Sequence, residues 1–464
     1  MNSYPRLKRI AFAVTLSLLP TAGAVAQTTE DKGGFAIRQV NVSTGYGFVQ
    51  LPATTLGGYV PTDVLNADLI TTAAADVEWR RIARQSTYRL GLFGTFTGRT
   101  RYSQLNAPGA ELTFGMAHVP SLRWRLSADL ATTLTNSDQL ASQPTQARRL
   151  VDDAVSFGDL AGAVALARPA PDLAETALFV PISQSLAGAD VYGTRFLAST
   201  ARAEAIYLNS ARLSTHFRGS YTAVRPVFRT NEAERGVLFP NSQMARAGVG
   251  LRHDRSERTQ LTAAVDWSQT EGVSEDKAFL VTLGYGWMGR KWFTMITGGA
   301  ALRPLFQSSA NSPSSSPAPR RTAALIATAA LGYKYRAHTV LVQYTHAPHD
   351  EYGYGGRNVA TGFEGSVQSA VGSWSWSLPR SQWIARSDVT LVRRPGNFSY
   401  INAWLATVGV GRQLGPNLRV FGEILFDRHG SRGFEGSHLT RQGARINLVW
   451  NPSRRRAAPT ESDR

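Results

Sequence analysis

What constrains this chain most is a side-chain alternation of period two that recurs, segment after segment, from residue 36 to residue 450. In 276–288, Phe279, Val281, Leu283, Tyr285 and Trp287 share one parity, while Leu280, Thr282, Gly284 and Gly286 hold the other. In 244–253, Ala245, Ala247, Val249 and Leu251 alternate with Arg246, Gly248, Gly250 and Arg252. In 259–270, Leu261, Ala263, Val265 and Trp267 alternate with Thr262, Ala264, Asp266 and Ser268; in 441–450, Ala444, Ile446, Leu448 and Trp450 alternate with Arg441, Gly443, Arg445 and Asn447. Successive side chains of a strand point to opposite faces, so every segment has one oily face and one small, polar or charged face. Strands of soluble sandwiches and propellers usually run to roughly five or six residues. These run to about 12, enough to cross a bilayer core when tilted.

The segments pair through short polar turns, among them Arg84-Gln85-Ser86, Val119-Pro120-Ser121, Asn209-Ser210, Gly289-Arg290, Pro379-Arg380-Ser381 and Gly415-Pro416-Asn417, with longer connections between the pairs. Strands are expected near 36–50, 68–82, 87–101, 110–119, 122–135, 192–208, 211–225, 243–253, 259–270, 276–288, 292–303, 323–335, 339–348, 361–377, 382–394, 399–413, 418–429 and 439–450, a total of 18, with 16 as the alternative. The fold class that follows is all-β: a transmembrane antiparallel up-and-down barrel, whose turns are short on one rim and long on the other. Aromatics near strand ends (Trp79, Tyr88, Trp124, Tyr207, Trp287, Trp292, Tyr335, Trp383 and Trp450) form the girdle expected where amphipathic rings meet a membrane interface.

The N-terminus points to export. Arg6, Lys8 and Arg9 precede an apolar run from Ile10 to Leu19, and Ala24-Val25-Ala26 supplies a small-residue cleavage site before Gln27. The expected organisation is a signal peptide over 1–26, a barrel over 27–450 and a polar periplasmic tail over 451–464 with Arg454-Arg455-Arg456. There is no cysteine, which excludes a disulfide framework, a thiolate metal site, a Cys nucleophile and a lipid-anchored cysteine. A formal charge of +17 suggests nucleic acid in isolation, but only 18% of the residues are charged and export removes access to DNA or RNA, so no nucleic-acid partner is expected.

Two segments break the alternation. Gln146 to Phe157 has a helical pattern, with Thr145 as N-cap and Leu150, Val151, Ala154 and Phe157 on one face. It lies in the longest connection, 139–190, which the pairing order makes the third outer loop. Gln307 to Arg320 is a Ser/Pro tract and reads as another outer loop. The motif Gly-Phe-Glu-Gly-Ser occurs at 362–366 and again at 433–437, both at loop-to-strand junctions.

With its export signal, its paired amphipathic strands and a last strand Ala444-Arg445-Ile446-Asn447-Leu448-Val449-Trp450 that ends in an aromatic, the chain resembles Gram-negative outer-membrane porins and exopolysaccharide-export porins. It departs from them by 14 residues beyond that aromatic. The resemblance implies a place in the bacterial outer membrane, among lipid and lipopolysaccharide, and insertion by the barrel-assembly machinery. It also implies a third loop folded into the pore as a constriction, here carrying Asp152, Asp153 and Asp159, and leaves a homotrimer open.

Parity assigns the wall chemistry. The wet faces hold Arg89, Arg99, Arg101, Arg123, Arg125, Arg202, Arg212, Arg218, Arg246, Arg252, Arg386, Arg419, Arg441 and Arg445, against Asp76, Glu78, Asp129, Glu204, Asp266, Asp388, Glu423 and Asp427. The candidate pore-lining set drawn from them is Arg89, Arg99, Arg202, Arg212, Arg218, Arg246, Arg252, Arg386, Arg445, Asp129, Glu204, Asp266, Asp388 and Glu423. An excess of arginine in a pore favours anions; cross-strand Arg–carboxylate ladders that brace the wall are the alternative use of the same residues. The readings that follow are a porin-like channel for polar, anion-leaning solutes such as a small anion, a dedicated export barrel for an acidic polysaccharide, and a plugged structural or adhesive barrel. No catalytic, cofactor or metal site is expected: the eight histidines are scattered, His346 and His349 form their only cluster, and no nucleophile-elbow or phosphate-loop motif occurs.

Overall fold

The computed structural model describes residues 34–50, 68–101, 106–136, 195–227, 242–271, 276–302, 323–349, 365–377, 382–394, 400–432 and 438–452. They form eighteen strands: β1 Gly34–Gln50, β2 Asp68–Ala83, β3 Ser86–Arg99, β4 Ala107–His118, β5 Trp124–Asn136, β6 Arg195–Leu208, β7 Leu213–Val227, β8 Ser242–Ser256, β9 Thr259–Glu271, β10 Asp276–Met288, β11 Trp292–Leu302, β12 Ala323–Tyr335, β13 His338–His349, β14 Gly365–Ser377, β15 Trp383–Arg394, β16 Tyr400–Gln413, β17 Leu418–Arg432 and β18 His438–Trp450. The expected signal peptide over 1–26, the connection 139–190 with its acidic trio, the Ser/Pro tract and the tail beyond Pro452 lie outside the described residues.

Each strand pairs antiparallel with the next, and β18 pairs with β1 from Val40↔Trp450 to Gln50↔Thr440. The sheet is therefore closed and has no free edge, which is what a strand-built protein needs in hydrocarbon, where an unpaired backbone group finds no water. Of the two expected counts, 18 is the one found.

The oily parity faces out. Leu92, Leu112, Val249, Val265, Leu283, Ile296, Leu325, Val408, Ile424 and Ile446 are all large, apolar and exposed, Leu283 and Ile424 each at 67%. An apolar exterior repeated on every side of a closed wall is a lipid-facing belt. At the short-turn rim its aromatics pair: Trp124 packs on Tyr207 with centroids 4.9 Å apart, and Trp287 on Trp292 at 4.2 Å.

The opposite parity faces in and is not uniform. On β10–β14 it carries a buried apolar group, Phe293, Ile326, Leu341 and Val371, among polar residues such as Thr297, Thr328 and Gln343. Phe293 lies across Gly332, where a Cβ would meet the ring at 2.0 Å. On β14–β18 and β1–β6 it is polar and charged, and encloses the candidate site.

Candidate functional site

The inner wall formed by β14–β18 and β1–β6 encloses a cavity of about 920 Å³. Its charged lining is Arg38, Asp76, Glu78, Arg89, Glu111, Asp129, Arg202, Arg386, Asp388, Arg419, Glu423 and Arg445. The two signs balance there, six against six, so the arginine excess read along the whole wet face is not concentrated in this cavity.

Register explains how these groups meet. Residues directly opposite on neighbouring strands lie roughly 5 Å apart, too close for an arginine and an acid separated by one strand to meet across a bulky side chain. The sequence puts glycine in the middle. Arg89, Gly115 and Asp129 are in register across β3–β5, Arg218, Gly248 and Asp266 across β7–β9, and Arg386, Gly409 and Glu423 across β15–β17. At Gly115 both the Arg89 and the Asp129 side chains close over the glycine, whereas at Gly248 and Gly409 it is the acid, Asp266 or Glu423, that lies over it and meets the guanidinium. Arg89 Nη2 is 3.2 Å from Asp129 Oδ1, and Arg218 forms a two-pronged contact with Asp266 that includes Nε to Oδ1 at 2.6 Å. Arg386 Nη2 donates to Glu423 Oε1.

Glu423 is the most elaborate node. Its side chain is 1% exposed. Besides Arg386, its other oxygen accepts Arg445 Nε at 2.8 Å and a hydrogen bond from Asn447 Nδ2. Arg386 also sits over the Phe421 ring at 4.0 Å from its centroid, a cation–π contact. Nearby, Asp388 accepts hydrogen bonds from Ser373 Oγ at 2.6 Å and Thr407 Oγ1 at 3.1 Å. Two guanidiniums on one carboxylate offset the cost of removing that carboxylate from water.

A charged interior inside a closed wall whose outside is oily suits a hydrocarbon surround. This chain is a membrane-spanning β-barrel. Among solved structures, a mutant ferric enterobactin receptor, PfeA, from Pseudomonas aeruginosa aligns over 91% of this chain and 81% of its own, at 8% identity and a TM-score of 0.42. OccK2 (OpdF) of the same organism, solved in complex with glucuronate, aligns over 89% of this chain and 98% of its own at 9% identity and a TM-score of 0.41. OccK1 (OpdK), also from Pseudomonas aeruginosa, aligns over 89% and 99% at 11% identity and a TM-score of 0.41. No family model and no curated protein matches the sequence.

The barrel distributes the residues singled out by parity in three ways. Arg89, Asp129, Arg202, Arg386, Asp388, Glu423 and Arg445 line the cavity. Arg218, Asp266, Arg246, Glu204 and Arg252 sit at inward positions of β6–β9; Glu204 contacts His216 Nδ1 at 3.1 Å, Arg252 contacts Asp254 at 2.9 Å, and Arg246 is in register with Ser220 and Ser268. Arg99 and Asp68 are buried together at the rim with the long connections, 3.9 Å apart, where Asp68 Oδ1 also accepts the Thr100 and Arg101 amides. That pair ties off the β2–β3 ends and does not face the cavity.

Arg212 is a correction. Expected on a strand, it sits in the turn before β7. The Ser210 hydroxyl accepts the Arg212 and Leu213 amides at 3.2 and 3.1 Å, which extends the turn by two residues and holds Arg212 at the rim. Two lining groups escaped sequence reasoning. Glu111 shares the inward parity of Thr113 and could have been read from it. Arg38 is the extra residue of a β-bulge between Ile37 and Gln39, so it falls out of step with Asn41 and Ser43 yet still faces in. It reaches Glu78 at 3.0 Å and Asp76 at 3.9 Å. The detectable signal was the parity switch from Phe35 and Ile37 to Val40 and Val42. Among the described residues, no group of three His, Asp or Glu side chains is placed to hold a metal ion.

Proposed function

We propose that this barrel is a passive channel for polar solutes with a preference for small anions. One observation carries the reading. In Arg38–Asp76, Arg38–Glu78, Arg89–Asp129, Arg99–Asp68, Arg218–Asp266, Arg386–Glu423 and Arg445–Glu423 the guanidinium side chain is more exposed than its acid, and in Arg252–Asp254 they are equal. Arg38 is 53% exposed against 20% for Glu78, and Arg445 is 28% exposed against 1% for Glu423. The formal charges cancel, but the positive ends face the water and the negative ends are tucked into the wall. A solute inside meets a lining of guanidinium donors, which match carboxylate and phosphate groups geometrically. Low-dielectric walls strengthen that field.

The test is reversal potential in planar bilayers under a salt gradient. The purified barrel should conduct, with a reversal potential on the anion-selective side. Neutralising the two most exposed arginines of these pairs, as Arg38→Gln with Arg89→Gln, should move it toward zero by a measurable fraction. A cation-selective wild type, or no conductance over many insertions, would overturn the proposal.

A further inference from the structure

We infer that the outer face of β15–β18 and β1 carries a binding site for a phosphorylated acyl lipid of the outer leaflet, that is, lipopolysaccharide. The inference rests on the membrane placement of the barrel and not on conduction through it.

Two independent features converge on this face. The first is an apolar trough of about 600 Å³ on the lipid side of the wall. Gly422 and Ala444 make its low floor, while Val410, Ile424, Ile446 and Tyr46 stand around it. Two neighbouring outward positions are small here, so a chain of methylenes can lie against backbone. The second feature lies further along the same strands, toward the rim with the long connections. Arg428 on β17 is opposite Trp404 on β16, and Arg393 on β15 is opposite Asn402 of that same strand. Both arginines are exposed, and both have the outward parity of Leu391 and Ile424. Trp404 stacks on Phe426 just beneath them, with centroids 4.4 Å apart and planes at 24°.

The spacing suits one lipid. Arg428 is four residues from Ile424, or about 13 Å along an extended strand. At a tilt of roughly 40° this is about 10 Å of depth, well inside one leaflet of a hydrocarbon core about 30 Å thick. Arg393 and Arg428 are two strands apart, roughly 10 Å between backbones, so both long side chains can meet one large anionic headgroup. Guanidinium favours phosphate by forming paired hydrogen bonds, and the stacked Trp404–Phe426 pair marks the headgroup level. The rim with long connections is the outer one, because the opposite rim carries the short turns. The headgroup is therefore an outer-leaflet phosphate.

The experiment is lipid retention by the purified, folded, full-length barrel, read by native mass spectrometry after incubation with intact lipopolysaccharide, enzymatically dephosphorylated lipopolysaccharide or phosphatidylethanolamine. Intact lipopolysaccharide should be retained at least tenfold better than either alternative. Arg393→Gln with Arg428→Gln should remove most of that advantage. Gly422→Leu, whose new Cβ finds its nearest neighbour at 3.9 Å and so fits the fold, should fill the trough and weaken retention of all acylated probes. Equal retention of intact and dephosphorylated forms, equal retention of phosphatidylethanolamine, or full retention by the arginine double variant would overturn the site. Conductance measured on the same preparations separates the two proposals: a conducting barrel without selective retention loses only the lipid site, and a retaining barrel without conductance loses only the channel.

Discussion

Replacing Glu423 by alanine is expected to destabilise the barrel by about 3 kcal/mol, the lower end of the cost of removing one partner from a buried charge cluster. The carboxylate holds Arg386, Arg445 and Asn447, and its side chain is 1% exposed. Without it, the guanidiniums of Arg386 on β15 and Arg445 on β18 lose the anion that they share. Arg445, at 28% exposed, can turn to the lumen water; Arg386, at 15% and held over Phe421, has less freedom. Urea unfolding of the barrel refolded into vesicles would measure the loss. The companion Glu423→Gln keeps the shape, removes the charge and should increase anion selectivity, since the guanidiniums lose their local counter-charge. Changing Arg386, Glu423 and Arg445 together to methionine should recover much of the stability, because apolar replacement of a buried ionic cluster is often neutral or better. A Glu423→Ala barrel within about 0.5 kcal/mol of wild type would show that the node braces nothing.

The strands were legible in the sequence because closure and lipid impose one rule on all of them. Every outward residue faces hydrocarbon, so alternation survives around the whole circumference, and eighteen strands follow from it. Boundaries are sharpest at the short-turn rim, where Gly415-Pro416-Asn417 and Gly289-Arg290 stop the pattern between β16 and β17 and between β10 and β11. At the other rim β17 continues to Arg432 rather than 429, and the first residues expected on β14, 361–364, lie outside the described residues. The strands there run on into connections whose residues are not bound by the lipid rule.

The site was legible only in half. Parity tells which face a side chain takes, but not its neighbour on the next strand, and pairing follows from register. Nothing local to Arg386 says that Glu423 lies two strands away, 37 residues on, with Gly409 between them. Nor does alternation survive a bulge, which is why Arg38 was missed. The inward apolar positions Phe293, Ile326 and Leu341 were likewise invisible as a group, since each looks like an ordinary interruption of a polar face.

The glycine of each charged row can be tested apart from the charges. Gly248→Ala is expected to cost about 2–3 kcal/mol, in the range of steric overpacking with an ion pair lost in addition. A Cβ at Gly248 would stand 2.0 Å from Asp266 Oδ1 and 2.7 Å from the Val265 carbonyl oxygen. Asp266 would have to swing away from Arg218, and the backbone of β9 cannot swing at all without disturbing its pairing with β8 and β10. Gly219→Ala is the control. Gly219 is on the neighbouring strand β7 with outward parity, and a Cβ there has its nearest neighbour at 3.9 Å. Its expected effect is within about 0.5 kcal/mol, or slightly stabilising, because alanine gives up less backbone freedom than glycine on folding. The contrast comes from curvature: side chains on the inside of a closed wall converge, whereas those on the outside diverge into lipid. Urea midpoints for the two variants, measured in the same vesicles, should therefore separate clearly. Equal midpoints would mean that the rows have room for a side chain, and that Arg218 and Asp266 do not need the glycine between them to meet.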